Sequence, residues 1–275
     1  MPSAGLSLLG FMDRAQALAH LTSACIPGDS DEAALSKIWA AAKEKLGAPI
    51  LGAGSPSIQT LPPAFDAHCR AVLSQAAFRD GGSFSGAFAC LVEVAPLLTP
   101  QFVVDRSRLA HHRAEAREAT LPTALETCLP LTARSEPFQT IAGPQSLLLK
   151  SRSMNVKFIR GGLFDGSVLG AKFGLSSPHV RVARYQGRCY IQNGVHRAVG
   201  LAMMGLTHIP CLVRDVAAPS DTGVVENATF SLSALESDNP PTLAHFIEGR
   251  ACDVTLRSLS RILQVSWGEY TVPDE

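Results

Sequence analysis

The stretch Arg188-Cys-Tyr-Ile-Gln-Asn-Gly-Val-His-Arg-Ala-Val-Gly-Leu-Ala-Met-Met-Gly-Leu-Thr-His-Ile-Pro-Cys-Leu-Val-Arg-Asp-Val216 decides the reading of this chain. It reads as a strand, a tight glycine turn, a helix opening on His196 and Arg197, and a second strand entered through Pro210. Gly194 permits the sharp strand-to-helix turn and lets a ligand approach the backbone closely. Asn193 suits a positive-φ or helix-capping position. The first-turn N–H groups of such a helix lack intrahelical acceptors, and the helix dipole favours an anion there. Arg197 would add a planar bidentate contact and His196 a switchable donor. From Ala198 to Met204 the helix is almost wholly apolar, which predicts that it packs inside the domain. The expectation is a phosphate pocket.

Working outward, 275 residues with 46% apolar and 17% charged side chains describe a globular protein of one large or two modest domains. No apolar run approaches the roughly 20 residues of a membrane-spanning helix, so no membrane partner is expected. No basic segment precedes Leu6–Met12, as a secretory signal would require. The seven cysteines are scattered singly, without a Cys-x-x-Cys pair or zinc-site spacing. This predicts reduced, buried thiols and a cytoplasmic location. The zero net charge hides segregation: between Pro137 and Arg214 ten basic residues face one acidic residue, Asp165, a net of +9. The last 61 residues carry 3 basic and 10 acidic side chains. So basic a segment points to an anionic ligand or an acidic partner; docking of the acidic C-terminal segment over it is the structural alternative.

The chain divides in this reading into three parts. Residues 1–86 form a helical N-terminal region, with helices over Leu8–Leu21, Ala33–Leu46 and Phe65–Phe78. Residues 87–216 form a strand-rich domain with a helical insertion at about 105–135. Residues 217–275 form a C-terminal extension with a late strand or hairpin in Leu259–Val272. Strands are predicted at Phe88–Val94, Ser146–Lys150, Val156–Ile159, Val180–Tyr185, Cys189–Gln192 and Ile209–Val213.

The run Tyr-Ile-Gln-Asn-Gly-Val-His-Arg-Ala, followed by Gly205-Leu-Thr-His-Ile-Pro-Cys-Leu-Val213, resembles the core of the ParB/sulfiredoxin superfamily. Phe173-Gly-Leu-Ser-Ser-Pro-His-Val-Arg-Val182 is similar to that family's Gly-Leu-x-x-Pro-x-x-Val segment, and Cys90–Gln101 to its opening strand. The resemblance is good over 173–216 and extends back to about 88. It implies an α+β fold, a mixed sheet with packed helices, and a nucleotide bound through its phosphates at the helix N-terminus. Nucleoside triphosphate with Mg2+ is the implied cofactor. Val195 departs from the pattern: it stands where sulfiredoxin has its catalytic cysteine and partition proteins a glutamate. Neither a thiolate nor a metal-polarising acid comes from that position.

The site residues expected on these grounds are Asn193, Gly194, His196, Arg197, Arg181 and Arg184 for phosphate, with Glu93 and His196 as candidate acid–base groups. No residue is assigned to a protein-bound metal. If the protein is an enzyme, phosphoryl transfer or nucleotide hydrolysis is expected, because the site offers positioning and positive charge. Alternatively it is a non-catalytic adaptor of the same fold that binds nucleic acid, DNA included, or an acidic protein. A third reading makes Arg197 an internal structural partner and His196 a hydrogen-bonded core residue.

Overall fold

The computed structural model describes residues 2–26, 31–75, 78, 84–132, 138–151, 156–164, 168–175, 178–225, 228–257, 260–268 and 271. In chain order the elements are β1 (Ser3–Ser7), α1 (Arg14–Ser23), α2 (Glu32–Lys45), β2 (Ile58–Gln59), α3 (Asp66–Leu73), β3 (Phe88–Glu93), β4 (Val103–Asp105), α4 (Arg106–Ala116) and α5 (Leu121–Cys128). There follow β5 (Phe138–Gly143), β6 (Ser146–Ser151), β7 (Val156–Phe164), β8 (Val168–Leu175), β9 (Arg181–Tyr185), β10 (Arg188–Asn193) and α6 (Val195–Ala202). The last are β11 (His208–Asp215), α7 (Leu232–Leu235), α8 (Ala244–Ile247), β12 (Cys252–Leu256) and β13 (Arg261–Ser266). The protein is α+β.

Its contacts divide the chain elsewhere than at 86 and 216. One compact unit comprises Met1–Thr132 and Pro178–Arg257; the other comprises Ala133–Ser177 and Ser258–Glu275. The excursion from the main body is therefore 133–177, not the helical 105–135. Both α4 and α5 sit in the main core, contributing Leu109, Ala116, Ala124, Leu125 and Cys128. The N-terminal region is not purely helical either. Ser3–Ser7 is the middle strand of a sheet ordered β12-β1-β4, antiparallel to both neighbours. The first helix begins at Arg14 rather than Leu8, because Asp13 and Gln16 form a reciprocal capping box: Asp13 Oδ1 accepts from the Gln16 N–H at 2.8 Å.

A five-stranded sheet ordered β10-β9-β11-β3-β2 carries the quoted stretch. Its centre, β11, reads as a near-continuous apolar run, Ile-Pro-Cys-Leu-Val, because it is buried on both faces. Pro210 lies inside this strand, two residues beyond its start. The Leu212 N–H donates to Val180 O on the β9 side, so by strand alternation position 210 would aim its N–H the same way. Pairing with β9 starts only at Leu212, so the missing donor breaks no ladder bond. The hairpin β9–β10 closes through Gln186-Gly187, both at positive φ (49° and 77°), the two-residue turn whose twist matches the strands. β11 then returns parallel to β9 and antiparallel to β3.

The second unit contains an antiparallel sheet ordered β13-β6-β5 and a β7–β8 hairpin. The strand expected late in the chain is thus β13, and its partner is β6, more than a hundred residues earlier. The basic run is split between units: Lys150, Arg152, Lys157, Arg160 and Lys172 lie in the second, and Arg181, Arg184, Arg188, Arg197 and Arg214 in the first. Asp165 falls outside the described residues. No described helix is long and apolar enough to cross a membrane.

Candidate anion-binding site

The turn at the heart of the sequence reading forms as expected. Gly194 caps α6 in the left-handed region (φ 93°, ψ 17°), and a Cβ there would sit 2.6 Å from Val180 Cγ2. Only glycine meets both demands. Val195 is 1% exposed and serves as core. Asn193 does not cap the helix; its Nδ2 donates to His179 O at 2.9 Å, tying β10 to the segment that leads into β9.

The next two residues face protein rather than a ligand. The backbone N–H of Asp105 donates to His196 Nε2 at 2.9 Å, which fixes the neutral tautomer with its hydrogen on Nδ1. Burial, reinforced by the Arg108 and His112 charges, pushes the His196 pKa down to about 3. A ring held neutral, with Nε2 already accepting, is not a switchable phosphate donor. Its job is to hold the start of α4 against α6, while the Asp105 carboxylate caps α4 by accepting from Ser107 N at 2.7 Å. Arg197 Nη1 donates to Thr127 O at 3.3 Å and to Pro178 O. The guanidinium thus joins the end of α5 to the start of the β9 segment. Its neighbour His179 donates from Nε2 to Pro130 O (3.0 Å), and its pKa is pushed down to about 4, chiefly by burial.

The remaining expected residues scatter. Arg184 makes a two-point contact with Asp215, Nε to Oδ1 at 2.5 Å and Nη2 to Oδ2 at 2.8 Å, across the parallel β9–β11 pair. Glu93 pairs with His208, the first residue of β11, which follows the C-terminal end of α6. Its Oε2 accepts from the Ser57 N–H at 3.1 Å. Glu93 therefore stands at the wrong end of the helix to act with Gly194.

Arg181 is different. Its Nε is buried and has no hydrogen-bond partner, and no described carboxylate lies within ion-pair distance of it. In the β9–β11 register Leu212 faces Arg181 and Arg214 faces Ala183, so Arg181 and Arg214 project from the same face of the sheet. Both guanidinium groups stack on the buried ring of Phe84, with Cζ atoms 5.1 and 4.8 Å from its centroid. Burial and the nearby Arg214 charge hold the Arg181 pKa below its usual value, although an arginine remains ionised. Phe78 packs edge-on to Phe84 and to His179 (centroids 6.3 and 5.0 Å apart). Arg214 and Phe84 were not picked out from the sequence. The signal available was an arginine interrupting each of two buried apolar strands; their juxtaposition depended on a parallel register that sequence does not display.

No protein-family model matches this chain, and neither a curated protein nor a solved structure is significantly similar to it.

Proposed function

We propose that this protein binds a phosphate-bearing anion, inorganic phosphate or a nucleotide, and that Arg181 and Arg214 beside Phe84 form the anchor, in a domain of ParB/sulfiredoxin-like type. The single observation carrying this reading is the Arg181 guanidinium, desolvated beside a second cation with its Nε–H unsatisfied. Such an arrangement is costly without an acceptor, and an oxyanion supplies several. The order β9–β10–α6–β11, with its left-handed glycine, supports the family likeness. Phosphoryl transfer would further require a base directed at the ligand. His196 is turned to Asp105 and Glu93 to Ser57, so neither expected group serves, and the reading is one of binding.

Among the described residues no group of three or more His, Cys, Asp or Glu could hold a metal ion. No step is routed through one. The test is calorimetric titration of inorganic phosphate, ATP and CTP into the wild-type protein and Arg181→Met. Binding that disappears in Arg181→Met, with the melting temperature of the variant preserved, is the expected result. Wild-type protein giving no heat with any of the three, or binding undiminished in the variant, would overturn the proposal.

A further inference from the structure

We infer that Cys90 and Cys211 form a redox-responsive dithiol, which hydrogen peroxide converts into a disulfide bolting β3 to β11. The two residues stand directly opposite each other in the antiparallel β3–β11 pair, so their side chains leave the same face of the sheet side by side. The Leu212 N–H donates towards β9, so by alternation the backbone groups of Cys211 point at β3. That makes Cys90 and Cys211 a hydrogen-bonded strand pair, with a Cα separation of about 5.5 Å. Bridged cysteines commonly have that spacing, so the bond closes without displacing either strand. The two thiols already touch, sharing a hydrogen bond, whereas Cys128 and Cys189 act on Cys211 only through their fields. All seven cysteines are free thiols, so the pair rests in its reduced form.

The surroundings give the two sulfurs different roles. Both are buried, Cys90 being 3% exposed and Cys211 0%, so the oxidant must be small. Burial and the Cys90 contact push the Cys211 thiol well above its usual pKa, which keeps it protonated and unsuited to the first attack. The Cys90 sulfur therefore attacks the peroxide. An S–O bond forms, the O–O bond breaks, and one water leaves with the Cys90 proton, giving a sulfenic acid. The Cys211 sulfur then attacks the Cys90 sulfur, the S–O bond breaks, and the hydroxyl departs with the Cys211 proton as a second water. Two thiols are oxidised to one disulfide while one peroxide is reduced to two waters. The loop so closed spans more than a hundred residues and takes in the whole 133–177 excursion, so the bridge restricts the unfolded chain strongly.

The experiment exposes the intact, folded chain to hydrogen peroxide, blocks the remaining thiols with iodoacetamide and maps disulfides by mass spectrometry without reduction. The expected product is a peptide pair linked through Cys90 and Cys211, two hydrogen atoms lighter than its separate halves. The melting temperature should rise by about 5–10 °C and return to its starting value with dithiothreitol. Cys90→Ala and Cys211→Ala should each abolish the bridge and the rise, while Cys189→Ala keeps both; treated and untreated samples of the same variant are compared, so a change in basal stability does not disturb the readout. Refolding the wild-type chain from urea in a glutathione buffer, where one oxidised glutathione yields the bridge and two reduced glutathiones, tests the geometry without an oxidant entering the core. A refolded chain lacking the Cys90–Cys211 bridge would overturn the geometry. Native protein that keeps both thiols after peroxide, or whose bridge lowers the melting temperature, would overturn the redox response.

Discussion

Replacing Gly194 by alanine tests whether the strand-to-helix turn is built as described. Two penalties combine there. At φ 93° an L-residue is outside its comfortable conformations, which costs about 1–2 kcal/mol. The new methyl would lie 2.6 Å from Val180 Cγ2 and 3.1 Å from Val180 Cα. The second of these is backbone, anchored by the Val180 N–H to Cys128 O bond at 2.8 Å, so the strand cannot simply give way. Overpacking of that kind adds about 1–3 kcal/mol. A total of about 3 kcal/mol lowers the melting temperature of a domain this size by about 6–12 °C. Gly187 provides the control: its φ is 77°, yet nothing lies within 4 Å of its added Cβ. Gly187→Ala therefore carries the conformational penalty alone. Thermal melts followed by circular dichroism compare the two variants, and Val180→Ala in the Gly194→Ala background should recover part of the difference. Gly194→Ala melting no lower than Gly187→Ala would refute the turn geometry.

Substituting His196→Leu should destabilise by about 1–3 kcal/mol, since it strips the acceptor from a partly buried Asp105 N–H, and should leave phosphate affinity unchanged; urea midpoints and calorimetry check the two halves. Acid should weaken the fold between pH 6.5 and about 3. His179, His196 and His245 are held neutral by burial, with pKa values near 4, 3 and 4, whereas the unfolded imidazoles protonate from 6.5 downward; this stability is complete above 6.5 and is lost as pH falls. A urea midpoint that is constant from pH 7 to 4.5 would contradict this. Arg184→Ala should cost under about 1 kcal/mol, because the Arg184–Asp215 pair is well exposed (37% and 66%), and should not alter anion binding; a large loss of either would show that Arg184 reaches the ligand after all.

Much of the local architecture around the central stretch was legible. Strands β3, β9, β10 and β11 and helix α2 start within about two residues of the expected places, because Gly, Pro and apolar periodicity punctuate them. What periodicity cannot show is partnership. β1 was read as the approach to a helix because five residues, Ser-Ala-Gly-Leu-Ser, carry almost no strand signal; partners near positions 104 and 254 make it a strand. β5 and β8 went unassigned for a similar reason, being made by register with β6 and β7. At the candidate site the same limit applies. His196 and Arg197 have the residue types of an anion clamp, but their roles were set by Asp105 and Thr127, which lie 91 and 70 positions away. Arg181, in contrast, lies on the strand the sequence predicts for it, β9, but its approach to Arg214 and Phe84 was not visible there.

The placement of Ser3–Ser7 between Val103–Asp105 and Cys252–Leu256 bears on how the molecule is made. The strand is flanked on one side by residues synthesised about 100 positions after it and on the other by residues synthesised about 250 positions after it. At translation speeds of about 5–20 residues per second the interval is on the order of tens of seconds. Until β4 is made the strand has neither neighbour, and from then until β12 is made it has one only, so the nascent chain carries an open edge that a holding chaperone would shield until the closing strand arrives.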